Sequence, residues 1–123
     1  MNSEIYTKHL NQCKEIIAND GCRLKELLHP KNDPLDLPYS FSVATVEPGK
    51  STYRHTLRQS EVYFILEGHG RLHVGSETTD LVKGATALVP ARQEQWLENT
   101  GETELEFIVI VSPPWREEDD IRT

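Results

Sequence analysis

Turn residues cut the stretch from residue 38 to 112 into about eight short runs, and this punctuation limits the fold more than any other feature. Pro48-Gly49, Gly68-His69-Gly70, Gly75, Lys83-Gly84, Pro90 and Pro113-Pro114 mark the breaks. Between them lie residues 39–46, 51–57, 61–66, 71–74, 78–82, 86–89, 93–97 and 105–111. These runs are rich in Val, Ile, Tyr, Phe and Thr, the residues that pack well on a pleated surface. Short strands separated by frequent turns predict an antiparallel sandwich or barrel. A chain of 123 residues has room for one such core and no second domain.

The flanks read differently. Tyr6, Leu10, Cys13 and Ile17 recur at spacings of 4, 3 and 4, and Ile5 and Ile16 widen that stripe. The period predicts a short N-terminal helix. Ser3 or Asn2 would cap its start, and Asn19-Asp20-Gly21 would end it. Residues 23–28 fit a strand or a helical turn. Pro30, Pro34 and Pro38 make residues 29–38 a loop. The expected organisation is a helix and lead-in strand over 1–37, a barrel over 38–112 and a polar tail over 113–123. Glu117-Glu118-Asp119-Asp120 reads as a solvated run within that tail.

Charge and cysteine content narrow the function classes. The net charge is −7, so nucleic acid and anionic membranes are not expected partners. No apolar run reaches the roughly 18 residues of a membrane span, and Met1 to His9 lack the layout of a secretory signal. A cytoplasmic location is expected. Cys13 and Cys22 are too few for a disulfide framework or a four-thiolate zinc site, and are expected to be structural or inert. His69 and His73 are expected to face solvent.

The strongest local signal lies between Gly49 and Asn99. Gly49 is followed by five residues and His55, then by Leu57, then after three residues by Glu61, and after six more by Gly68. Gly84 is followed by five residues and Pro90, then by Arg92, Gln95 and Asn99. This resembles the two signature motifs of the cupin superfamily in order and spacing. Seven of ten landmark positions agree. The departures are Leu57 and Gln95, where the motifs carry His, and Arg92, where they carry Gly. Residues 23–30, 55–63 and 113–119 also resemble small prokaryotic cupins of the mannose-6-phosphate isomerase-like group. Four arginines, Arg54, Arg58, Arg71 and Arg92, are too dispersed to promise that group's phosphate site.

The resemblance implies an all-β fold, a double-stranded β-helix or jelly roll, behind the short N-terminal helix. It also implies that His55, Glu61 and Gln95 point inward and hold a divalent metal. Chemically that set is one imidazole and two oxygens, a weaker shell than three imidazoles and a carboxylate. Manganese, iron, nickel or zinc would therefore be weakly held, with open positions suited to Lewis-acid chemistry. Alternation along strands puts Tyr53 and Leu57 on the face of His55, Tyr63 on that of Glu61, and Gln93 and Leu97 on that of Gln95. Tyr53 and Tyr63 are the candidate proton-moving residues. Leu57, Gln93, Leu97 and Phe107 are the candidate pocket wall. A buried Glu61 needs a metal, His55 or water to compensate its charge.

The expected function is a small metal-binding, enzyme-like cupin acting on a small polar molecule by isomerase, dioxygenase or cyclase/lyase chemistry. The alternative is a metal-free module binding a sugar or a small acid. The apolar residues Leu24, Leu27, Leu28, Phe41 and Val43 and the run 105–111 exceed what one small barrel hides on one face. A homodimer is expected.

Overall fold

The structure, a computed structural model, describes residues 5–19 and 21–123. Eleven strands form two antiparallel sheets. They are β1 (Glu15–Ile17), β2 (Arg23–Leu28), β3 (Ser40–Val46), β4 (His55–Leu57), β5 (Ser60–Glu67), β6 (His69–Val74), β7 (Glu77–Val82), β8 (Thr86–Val89), β9 (Glu94–Asn99), β10 (Leu105–Ser112) and β11 (Asp120–Arg122). The first sheet has the order β1-β2-β3-β10-β5-β8, and the second β11-β4-β9-β6-β7. Consecutive strands thus repeatedly leave one sheet for the other, as in a jelly roll. No helix among the described residues is long and apolar enough to cross a membrane.

Alternation decides which side chains meet between the layers. Ala44 and Val46 of β3, Tyr63 and Ile65 of β5, and Leu105 and Phe107 of β10 are buried from the first sheet. Leu72, Leu81 and Leu97 meet them from the second. Gly70 is the point of closest approach. A Cβ there would lie 2.5 Å from Glu98 O and 2.8 Å from Leu105 Cδ2, so the position excludes any side chain.

Among the described residues the predicted N-terminal helix is absent, and only a 3-10 turn, Leu10–Gln12, forms before β1. Three local effects outweigh the helical period. His9 Nδ1 accepts from Asn11 N, and Gln12 Oε1 accepts from His9 N, which closes the turn on itself. Tyr6 and Lys8 are drawn to Asp33 in the loop after β2, Tyr6 donating to Oδ1 at 2.5 Å. Ile16 and Ile17, β-branched, pair with Leu24 and Arg23. The stripe is not buried: Ile5 is 89% exposed and Ile17 70%. The caps expected at Asn2 or Ser3 lie outside the described residues, as does Asp20 of the expected stop. Gly21, with φ 88°, lies instead between β1 and β2, in a hairpin closed by Ala18 N on Cys22 O.

The C-terminal segment is no solvated tail. Asp119 is buried, accepting from Gln59 Nε2 at 2.8 Å and from two guanidinium nitrogens of Arg116. Asp120 then begins β11, which pairs with β4 and adds a strand to the second sheet. His73 also departs from expectation. It is half-buried, stacked on Trp96 at 4.2 Å and hydrogen-bonded to Glu98 at 2.5 Å. His69, by contrast, is exposed, at the start of β6.

Candidate functional site

A cavity of about 100 Å³ opens between the layers, lined in part by His55, Leu57, Glu61, Tyr63 and Phe107. It has room for several waters or one small organic molecule. Ser40, Ser42, Cys22, Val109 and Val111 add to its wall from strands of the first sheet and the hairpin before β2. A wider, shallower groove of about 800 Å³ runs outside, past His29, Arg58 and Arg116, and shares only Trp115 with the cavity. None of the motif landmarks line that groove.

β4 is three residues long, but it places two wall residues. His55 stands directly opposite Gln95 of β9, and Leu57 opposite Asp120 of β11. Asp120 reaches diagonally across the pair, and its Oδ1 lies 2.8 Å from His55 Nδ1. Its Oδ2 accepts from the indole Nε1 of Trp115 at 3.0 Å. Both members of the His55–Asp120 pair are nearly closed to solvent, with side chains 5% and 6% exposed.

Tyr63 joins the two layers. Its hydroxyl lies 2.7 Å from Gln95 Oε1 and 3.1 Å from Glu61 Oε1. Phe107 holds the ring edge-to-face at 5.4 Å. One phenolic hydrogen faces two acceptor oxygens and can donate to either. Glu61, Tyr63 and Gln95 thus form a connected polar path from the cavity wall into the core.

Six of the nine residues singled out from the sequence, His55, Leu57, Glu61, Tyr63, Gln95 and Phe107, are brought to the cavity or directly behind it. Leu97 is fully buried in the core below it. Two fall elsewhere. Tyr53 is 42% exposed, with the Arg122 guanidinium 3.5 Å from its ring centroid. The alternation that would place it beside His55 fails because the expected strand over 51–57 is broken. Only Ser51 makes an isolated bridge before β4 starts at His55. Gln93 precedes β9, is exposed, and lies beside the Gly75 turn. Sequence reasoning missed Asp120 and Trp115. The available signals were an indole in an otherwise polar ending and the alternation of Asp120, Ile121 and Arg122.

The donor set does not fit the four-ligand metal centre, three imidazoles and a carboxylate, that the family motifs describe. Leu57 offers nothing, and Gln95 Oε1 already accepts from Tyr63. His55 does have the carboxylate partner that metal-bound imidazoles use. Among the described residues, however, no three His, Cys, Asp or Glu side chains converge on one point.

Two packed antiparallel sheets with a small cavity between them define a β-sandwich of the jelly-roll class. Residues 42–111 match the Cupin domain family, and the chain belongs to it. It is 32% identical over 117 residues to the uncharacterized protein MJ1618 of Methanocaldococcus jannaschii, covering 94% of this chain and 93% of that one. An oxalate-binding protein of Thermotoga maritima is 29% identical over 72 residues, 58% of this chain and 60% of the other. The structure of the polyketide cyclase RemF from Streptomyces resistomycificus superposes with a TM-score of 0.80 at 15% identity. That match covers 98% of this chain and 86% of RemF, and speaks for the fold alone.

Proposed function

We propose that this cupin binds a small, neutral, hydroxyl-bearing molecule in the cavity between its sheets, and does so with its own side chains and without a metal. The observation that carries this reading is the charge of the cavity wall. Among the described residues, Glu26, Glu61 and Asp120 line it, with His55 as the single basic group and no Lys or Arg. A small dianion such as oxalate, which the Thermotoga relative is named for binding, would meet carboxylates with no fixed cation to offset them. A phosphorylated sugar meets the same obstacle. Arg54 lies over Trp96 and Arg71 pairs with Asp80, both on the outer face of the second sheet, and Arg58 and Arg92 are exposed. A ligand hydroxyl, in contrast, can donate to Glu61, to His55 or to the Tyr63 oxygen, whose own hydrogen is held by Gln95 or Glu61, while Leu57 and Phe107 cover its carbon skeleton.

The same wall supports a second, enzymatic reading. Tyr63 is set to pass a proton between Glu61 and a bound ligand, and His55 is set beside it as a base. An isomerase or a cyclase/lyase step fits these groups. Tyr53, outside the cavity, has no part in it.

The test is thermal unfolding in the presence of a chelator, across polyols, small sugars, hydroxy ketones and oxalate. Hydroxyl-bearing compounds should raise Tm with saturation, and Tyr63→Phe should reduce that rise. Stabilisation by oxalate alone, or stabilisation by polyols that disappears with the chelator, would overturn the reading.

A further inference from the structure

The His55–Asp120 pair joins residues 65 positions apart in the chain, and Asp120 belongs to neither signature motif. We propose that Asp120 is a positioning residue that fixes the tautomer of His55. A carboxylate only accepts, so the ring nitrogen facing it, Nδ1, carries the hydrogen. The lone pair of the neutral ring is then left on Nε2. At Nε2 the neutral ring can then accept and cannot donate.

Asp120 is itself held in place. The indole N–H of Trp115 can only donate, and it occupies Oδ2. Asp119, one residue earlier, is buried against Gln59 and Arg116 and anchors the start of β11. The carboxylate therefore has one oxygen committed to Trp115 and the other to His55. Trp115, Asp119 and Asp120 act together as a strap that closes on the imidazole from the C-terminal side.

This arrangement makes a specific chemical demand on an amide at position 120. In Asp120→Asn the Trp115 N–H still needs an acceptor, so the amide oxygen must face Trp115. The NH2 group then faces His55 Nδ1, which must give up its hydrogen. The ring switches to the Nε2–H tautomer, and the nitrogen left basic changes. Removing the indole donor as well, in Trp115→Phe with Asp120→Asn, frees the amide to turn. Its oxygen can again accept from Nδ1–H.

The readout is nitrogen-15 NMR of the full chain, with the two-bond couplings of the His55 ring measured at the alkaline end of a pH series, where the ring is neutral. Nδ1–H in the unaltered protein, Nε2–H in Asp120→Asn, and return to Nδ1–H in the double variant are the expected results. An Nε2–H ring in the unaltered protein overturns the proposal without recourse to any variant. So does an Nδ1–H ring that persists in a folded Asp120→Asn. A merely structural role for Asp120 would change stability and leave the tautomer alone. The consequence for binding rests on the cavity reading above, but the tautomer needs no ligand. A cavity that takes none of the compounds tested, around an Nδ1–H ring, would sink that reading and leave this one standing.

Discussion

Arg92 stands where the family motif has glycine, and its φ of 68° shows what the glycine is for. The backbone there is left-handed, which lets Arg92 N donate to Leu57 O at 2.8 Å and ties the turn before β9 to the end of β4. A side chain in that conformation costs roughly 1–2 kcal/mol, and glycine's greater freedom in the unfolded chain offsets about 0.5–1 of it. Arg92→Gly should therefore stabilise the fold by up to about 1 kcal/mol, read as a raised urea midpoint at unchanged slope. The ligand slots make a sharper case. Leu57 is 1% exposed and shares the cavity wall with His55. If lack of donors is what denies the site a metal, Leu57→His with Gln95→His should restore one. Calorimetry with zinc or manganese should show at least about a tenfold gain in affinity, since loss of outer-shell partners alone costs metal sites 10–100-fold. Tight binding by the unaltered protein would contradict the donor argument. Motif spacing made His55, Glu61 and Gln95 legible in the sequence, and strand alternation added Tyr63. Asp120 and Trp115 were harder to read, because their local signals are slight and it is the pairing of β11 with β4 that brings Asp120 to His55.

The strands of the barrel were legible because each carries its own pattern and its own turn. The N-terminal element was not, because its stripe of Tyr6, Leu10, Cys13 and Ile17 has no apolar surface to cover it. Hydrogen bonds at His9, Gln12 and Asp33 decide its path instead. The C-terminal element was misread in part: Glu117 and Glu118 are exposed as expected, but Asp119 and Asp120 are anchors. Arg116 beside Asp119 holds that carboxyl below the ordinary carboxylate range, and Gln59 adds to the effect. Asp33 is also lowered, since burial pushes it up but hydrogen bonds from Lys8, Tyr6 and His29 N outweigh that. A lowered folded-state pKa means these two acids stabilise fully above the unfolded value of about 3.9. The contribution falls as pH drops through the folded value. The strap should therefore stay closed from neutral pH down to about pH 5 and loosen only below about pH 4. Fluorescence of Trp115 in a Trp96→Phe background should follow that loosening, and Asp119→Asn should remove the acid dependence and leave the strap loose throughout. A strap that opens between pH 5 and 7 would mean that another group governs it.

The two faces of the first sheet have opposite characters, and this bears on assembly. Its inner face holds the cavity. On its outer face Ile108 lies between Val43 and Phe64, Ile110 lies between Phe41 and Val62, and Leu88 stands opposite Val62. That is a continuous apolar patch across β3, β10, β5 and β8, with Phe64 37% and Leu88 67% exposed. Monomeric proteins rarely leave such a patch open to water. We propose that a second copy of the chain covers it. The patch centres on the inner strands β10 and β5, and a two-fold axis through it sets it against itself. Lys25 beside Val43 and Glu106 beside Ile108 give the rim opposite charges that the same axis can bring together. Such pairing leaves the cavity, on the other face of the sheet, open to its ligand. Light scattering at micromolar concentration should give twice the 14.1 kDa chain mass. Phe64→Glu should give a folded monomer, because a carboxylate at the centre of the patch cannot be desolvated there without a partner. A monomeric mass for the unaltered protein, or a dimer that survives Phe64→Glu, would move the interface off this face.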